Sequence, residues 1–141
     1  MFDPQAGYHY ARFGLRYDSR MASTTVAFGV VLIVLGLASY FLTGRVSVTA
    51  LIPSAFGVVL ALCGMIARDD RRRKHAMHGA VVIALLGLGG TVPGLLKIGS
   101  LLDGTAVRPA AVFAQTIMAV LMVIYLVMAI KSFIAARAAR R

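Results

Sequence analysis

Residues 24–42 read TTVAFGVVLIVLGLASYFL, without one Asp, Glu, Lys, Arg or His. A bilayer's hydrocarbon core is about 30 Å thick, and a helix crosses it with about 20 apolar residues. This stretch has that length. Its apolar residues run on without the polar alternation that a strand of a membrane barrel requires, so a helix is the expected form. Three further stretches share the character: 48–67, 79–96 and 110–130. The chain carries 15 Lys or Arg and 5 Asp or Glu, and every one lies outside the four windows. A single charge at the centre of a membrane helix costs about 2.5–3.5 kcal/mol on insertion scales. The pattern is that of a chain adapted to lipid.

Composition agrees. Of 141 residues, 60% are hydrophobic and 14% charged, against about 45–50% and about 25% in soluble domains. That excludes a soluble monomer, and the length excludes more than one ordinary domain. A single Cys excludes an internal disulfide framework and a cysteine-cluster metal site.

The links between windows, 43–47, 68–78 and 97–109, are short. Short links force neighbouring helices into antiparallel pairs. The expected fold is therefore all-α: a polytopic membrane protein with four transmembrane helices in an up-down-up-down bundle. Residues 24–132 form that domain, 1–23 a basic aromatic N-terminal segment, and 133–141 a basic tail.

Orientation follows from the cations. Arg12, Arg16, Arg20, Arg68, Arg71, Arg72, Arg73, Lys74, Lys131, Arg137, Arg140 and Arg141 fall at one end. Arg45, Lys97 and Arg108 fall at the other. Under the positive-inside rule the richer end is cytoplasmic. The expected location is integral in a membrane, the bacterial inner membrane, with both termini cytoplasmic. The net charge of +10 thus reads as lipid-facing rather than nucleic-acid-binding. Arg68, Arg71, Arg72, Arg73, Lys74, Arg137, Arg140 and Arg141 are the expected contacts to anionic lipid.

In the N-terminal segment, Tyr10, Phe13, Tyr17 and Met21 fall within about 80° of arc on a helix, beside a stripe of Arg12, Arg16 and Arg20. That suits a helix lying in the headgroup layer. Gly7 and Gly14 favour a disordered tail instead. Met21 would also serve as a translation start. Asp3 and Asp18 argue against an organellar presequence, and the first apolar run is too long for a signal peptide.

The two hairpins open similarly, at Gly29-Val-Val-Leu-Ile-Val-Leu-Gly and Gly79-Ala-Val-Val-Ile-Ala-Leu-Leu-Gly. A parallel repeat about the membrane normal is one explanation. Pro53 and Pro109 fit the first turns of their helices, where a missing N–H costs nothing.

Candidate chemistry is sparse. Gly29, Gly36, Gly57, Ala61 and Gly64 mark faces where backbones can approach. Gly57-x-x-x-Ala61 and Gly90-x-x-x-Gly94 suit either packing within the bundle or contact with another subunit. Gly87, Gly89, Gly90, Pro93 and Gly94 make poor helix, consistent with a cavity or a kink. Gln115, the one strongly polar side chain deep in the fourth window, could bond across helices. His75 and His78 share a helix face and are weak metal candidates beside Asp70; a packed, hydrated pair is the simpler role. Cys63 and Tyr125 read as core residues. No cofactor is expected. Ion-coupled transporters place Asp, Glu, Arg, Lys or His within their spans, and these spans have none. No phosphate-binding loop, activated nucleophile or carboxylate pair is present, so an enzyme is not expected.

Gly36-Leu-Ala-Ser-Tyr40-Phe-Leu-Thr-Gly44, with Ser47, Ala50-Leu-Ile and Phe56-Gly57, resembles the Gly-Tyr-x-x-x-Gly-Ser opening of the Tmem14-like fatty-acid-export family. The likeness covers the first two windows. It departs at Arg45, where the family has a small residue, and at Pro53. The Lys74-His-Ala-Met-His78 step is also similar to one in small four-span bacterial membrane proteins. The resemblance implies a Gly-rich four-helix fold and lipid handling. Two functions stay open on the residues: a non-catalytic structural or accessory component of a membrane complex, or a passive carrier or binder of fatty acid or lipid. The expected partners are membrane lipids and other membrane subunits or a second copy, not nucleic acid. For topology, Arg45→Cys and Arg72→Cys in a Cys63→Ala background should react with a membrane-impermeant maleimide from opposite sides of sealed vesicles. Reaction from one side alone would refute the arrangement.

Overall fold

The computed structural model describes residues 4–45 and 48–138, with side chains from Arg20 onward. Among the described residues five helices follow one another: α1 (Pro4–Leu42), α2 (Ile52–Ile66), α3 (Arg73–Leu95), α4 (Ile98–Leu102) and α5 (Pro109–Ala138). A 3-10 turn at Val48–Leu51 leads into α2. No strand occurs among the described residues. Four stretches are long and apolar enough to cross a membrane: Arg20–Leu42, Val48–Ile66, Arg73–Leu95 and Pro109–Ala138. They are the four expected spans, and the protein is an all-α integral membrane protein. The third starts six residues before its expected boundary, because Arg73–His78 is already helical.

The helices form a ring. α1 packs on α2 and α5, and α3 packs on α2 and α5. The diagonal pairs barely meet. This is the up-down-up-down order that short links impose.

Two helices overhang. At 1.5 Å per residue α1 is about 58 Å long and α5 about 45 Å, against a core of about 30 Å. Both overhangs lie at the basic end. The N-terminal segment is therefore, in its backbone from Pro4, part of the same helix as the first span. Its aromatic side chains and those of Arg12 and Arg16 lie outside the described residues.

The closest packing is between α1 and α2. A Cβ built on Gly57 would lie 2.5 Å from the Gly29 carbonyl oxygen and 2.8 Å from the Ile33 nitrogen. One on Gly29 would lie 2.6 Å from the Ala61 nitrogen, and one on Gly64 2.7 Å from the Val26 nitrogen. These neighbours are backbone and cannot move aside. Gly29 and Gly36 are seven apart, as are Gly57 and Gly64, and seven-residue spacing keeps each pair on one seam. Ser54 fits over Gly36, and its hydroxyl donates across the seam to the Ile33 carbonyl at 2.8 Å. The small residues named from the sequence on α1 and α2 thus serve packing within the chain.

The α3–α5 side is filled differently. Met77, Ala80 and Ala84 of α3 face Met118, Met122, Tyr125 and Ala129 of α5 in one buried cluster with Leu32 and Leu60. Small residues on α3 leave the volume that flexible methionines fill. Tyr125 is fully buried. Its hydroxyl lies 3.1 Å from Thr25 Oγ1, and its ring packs on Phe28 at 5.5 Å. Thr25 also donates to the Met21 carbonyl at 2.9 Å.

Gly44 and Arg45 both take positive φ, 68° and 63°, where α1 ends. For Arg45 this is the left-handed region that disfavours a side chain. Its guanidinium lies over Phe41, 5.1 Å from the ring centre, which offsets part of that cost.

Gly57→Ala should destabilise the bundle by about 1–3 kcal/mol, the usual cost of forcing atoms into a filled space. Gly89→Ala, which meets nothing within 4 Å, should be neutral or stabilise by up to about 1 kcal/mol through helix propensity. Reversible SDS unfolding followed by circular dichroism measures both. Equal effects would refute the seam.

Candidate functional site

The glycine-rich end of the third span is helical throughout. α3 runs through Gly87, Gly89 and Gly90 and takes in Pro93 before ending at Leu95. It is neither broken nor shortened there, contrary to what its composition suggests. The reason is local. Pro93 lies in the last turn, where it deprives only the Gly89 carbonyl of a donor. Thr91 donates its hydroxyl to the Leu88 carbonyl at 2.6 Å.

The glycines divide by face. Gly87 is buried under Met118, Met122 and Phe56, and Gly94 lies directly under the Gln115 side chain. Gly89 and Gly90 have no neighbour where a Cβ would stand. Gly90 and Gly94 therefore do not form one packing face. Pro93 is exposed.

Beside them lies a cavity of about 50 Å³, lined by Thr49, Pro53, Phe56, Gly87, Gly90, Thr91 and Gln115 among others. At about 30 Å³ per water it has room for one or two waters. It is far below the roughly 300–1,000 Å³ of pockets that enclose an organic ligand. Gln115 makes no hydrogen bond among the described residues.

At the basic end there is a larger cleft, open to the surroundings, of about 320 Å³. Lys74, Met77 and His78 of α3 form one wall, and Ser132, Phe133, Ala136 and Arg137 of α5 the other. Met21 of α1, the loop residue Asp70 and Arg73 at the start of α3 complete it. Arg73 is the least exposed cation of the loop, at 17% for its side chain. Its Nε donates to the Ala67 carbonyl at 3.0 Å, capping the end of α2, and its Nη2 pairs with Asp70. That holds the 67–73 turn closed. Asp69 accepts from the Arg71 backbone N–H at 3.1 Å and lies 3.9 Å from Arg72. Arg68, Arg71 and Arg72 are exposed on the loop. Arg140 and Arg141 lie outside the described residues.

The two histidines diverge in role. His75 is exposed. His78 shares a hydrogen bond between Nδ1 and the Lys74 carbonyl at 2.7 Å, and its ring lies 5.2 Å from that of Phe133. Asp70 is engaged by Arg73 rather than by either histidine. No group of three or more His, Cys, Asp or Glu converges among the described residues. Cys63 is half-buried beside Gly79.

From the sequence, the cations of this end read as a general lipid-facing surface. The structure brings Lys74 and Arg137 to one cleft and assigns Arg73 to a helix end. Ser132, Phe133 and Met77 are the lining residues that sequence reading passed over. The one signal was the step from Lys131 to Ser132, where the apolar window ends. No family model matches the chain, and no curated protein or solved structure is significantly similar to it.

Gln115→Met keeps the volume and removes a side-chain amide that has no partner among the described residues. It should leave stability unchanged or raise it by up to about 1 kcal/mol. A loss of that size, read by SDS unfolding in the purified protein, would mean that the amide is engaged.

Proposed function

We infer that this is a non-catalytic accessory or structural protein of a membrane, with its basic end toward the cytoplasm. The carrying observation is a bundle interior closed by glycine contacts and methionine side chains, with no Asp, Glu, Lys, Arg or His in the four windows. Membrane helices lack a hydrophobic drive toward one another and associate by close packing. A seam as tight as α1–α2 favours a fixed scaffold over a fold that opens for cargo. The cavity beside Gly87–Gly94 described above holds a water or two.

The orientation is supported by the cations. Arg20, the 68–74 loop, Lys131 and Arg137 share one end, while Arg45, Lys97 and Arg108 occupy the other. Cytoplasmic placement of the richer end also puts it against the anionic leaflet, where each cation contributes about 1 kcal/mol. A bacterial inner membrane meets these conditions. The outward faces carry Val30, Val34, Leu62, Leu86 and Ile124, the residues that contact lipid or a second membrane subunit.

The alternative, passive carriage of fatty acid or lipid, draws on the resemblance of the first two spans and on the glycines of α3. The two readings part in one pair of measurements. Mild-detergent purification from native membranes should retain a stoichiometric membrane partner, and reconstituted vesicles should show no faster fatty-acid or lipid transfer than protein-free ones. Faster transfer that Gly90→Leu with Gly94→Leu abolishes would overturn the accessory reading.

A further inference from the structure

The cleft at the basic end contains a polar group that the fold does not use. Ser132 is 6% exposed and lines the cleft, yet it makes no hydrogen bond among the described residues. Several helix hydroxyls, at Thr24, Thr25, Ser39 and Thr116, donate to the carbonyl four residues back. Ser132 does not. No fully enclosed side-chain oxygen or nitrogen lacks a partner among the described residues, so Ser132 Oγ keeps some accessible surface, and the residue lines the cleft.

Cations flank that hydroxyl. Lys74 on α3 and Arg137 on α5 line the cleft from opposite walls, and neither has a carboxylate partner among the described residues. Asp70 also lies on the rim, but Arg73 pairs with it, so these four groups leave a net positive charge. The floor is apolar, formed by Met21, Met77 and Phe133. A volume of about 320 Å³ is at the lower end of ligand pockets, roughly 300–1,000 Å³. The site follows directly on Lys131, where the apolar window ends, which is headgroup depth.

We propose that this cleft binds the phosphate headgroup of an anionic phospholipid. Lys74 and Arg137 hold the phosphate, Ser132 donates its hydroxyl to it, and the glycerol and first acyl carbons rest on Met77 and Phe133. Point charges and a hydroxyl are what a phosphate oxygen accepts from. The apolar floor adds affinity for a phosphate that carries a chain over a free ion. The site deepens the proposed function and rests on its membrane placement: an accessory protein that recognises the leaflet at its feet.

The test uses the full chain in dodecylmaltoside, titrated with dioleoylphosphatidylglycerol or dioleoylphosphatidylcholine and read by native mass spectrometry. One phosphatidylglycerol should be retained in preference to phosphatidylcholine. Lys74→Ala with Arg137→Ala should weaken it about thirtyfold, the loss expected for two cations at an anionic headgroup. Ser132→Ala should weaken it about fivefold, as for one hydrogen bond, and carries the test should the double variant fail to fold. Lys97→Ala with Arg108→Ala removes the same charge from the opposite, exposed end and should change binding by less than about twofold. Equal losses in both double variants, or no loss in either and none in Ser132→Ala, would overturn the site. Sodium phosphate should leave the lipid bound; complete displacement would overturn the lipid assignment in favour of a free anion. A reversed topology by maleimide labelling defeats the reading beneath, whereas lost lipid preference with topology intact defeats the cleft alone.

Discussion

Helices surrounded by lipid gain nothing from hiding apolar surface, because the tails outside are as apolar as the neighbours inside. What holds them is closeness: dispersion between atoms that touch, and hydrogen bonds short enough to form. In this protein that closeness is concentrated where Gly29 and Gly36 of α1 meet Gly57 and Gly64 of α2. Main chain rests on main chain there, and Ser54 crosses to the Ile33 carbonyl. The first hairpin is thereby a rigid unit. It presents Leu32 and Leu60 to the middle of the bundle, and the second hairpin packs against that surface.

The second hairpin obeys the same constraint by other means. Ala80, Ala84 and Gly87 on α3 leave room, and Met118 and Met122 on α5 occupy it. Methionine adapts to irregular gaps where glycine fixes a distance. The bundle is thus stiff on one side and compliant on the other. Tyr125 ties the two together, with its hydroxyl on Thr25 of α1 and its ring on Phe28. The compliant side is also where the basic cleft opens, between the start of α3 and the end of α5.

The sequence told the spans because the penalty for a charge in hydrocarbon is large and local. Every window free of charge proved helical, and Leu42 ended the first span as expected. It told the close-packing residues of α1 and α2 for a similar reason: a Gly or Ala in an apolar run has few uses besides contact. It did not tell which helices would share them, since Gly57-x-x-x-Ala61 reads the same toward α1 as toward another subunit. Nor did it tell the fate of Gly87–Gly94, where neighbouring helices sustain a segment whose own propensity is poor. The charged loop was the least legible. Arg73 looks like its neighbours in sequence, and only the turn at 67–73 brings its Nε to the Ala67 carbonyl. Ser132 was invisible because its significance is a bond not made among the described residues.

A nitroxide scan along the first span, in a Cys63→Ala background reconstituted in lipid, tests the central arrangement most directly. Collision rates with oxygen, which concentrates in lipid, and with a water-soluble nickel chelate would be recorded at each position from Val26 to Leu37 except Gly29 and Gly36, where the seam has no room for a label. Oxygen access should rise and fall with a helical period, high at Val30, Val34 and Leu37 and low at Phe28, Leu32 and Leu35, while the nickel reagent stays excluded throughout. A profile without period, or nickel access at Val34, would contradict a lipid-embedded helix packed through its glycine face.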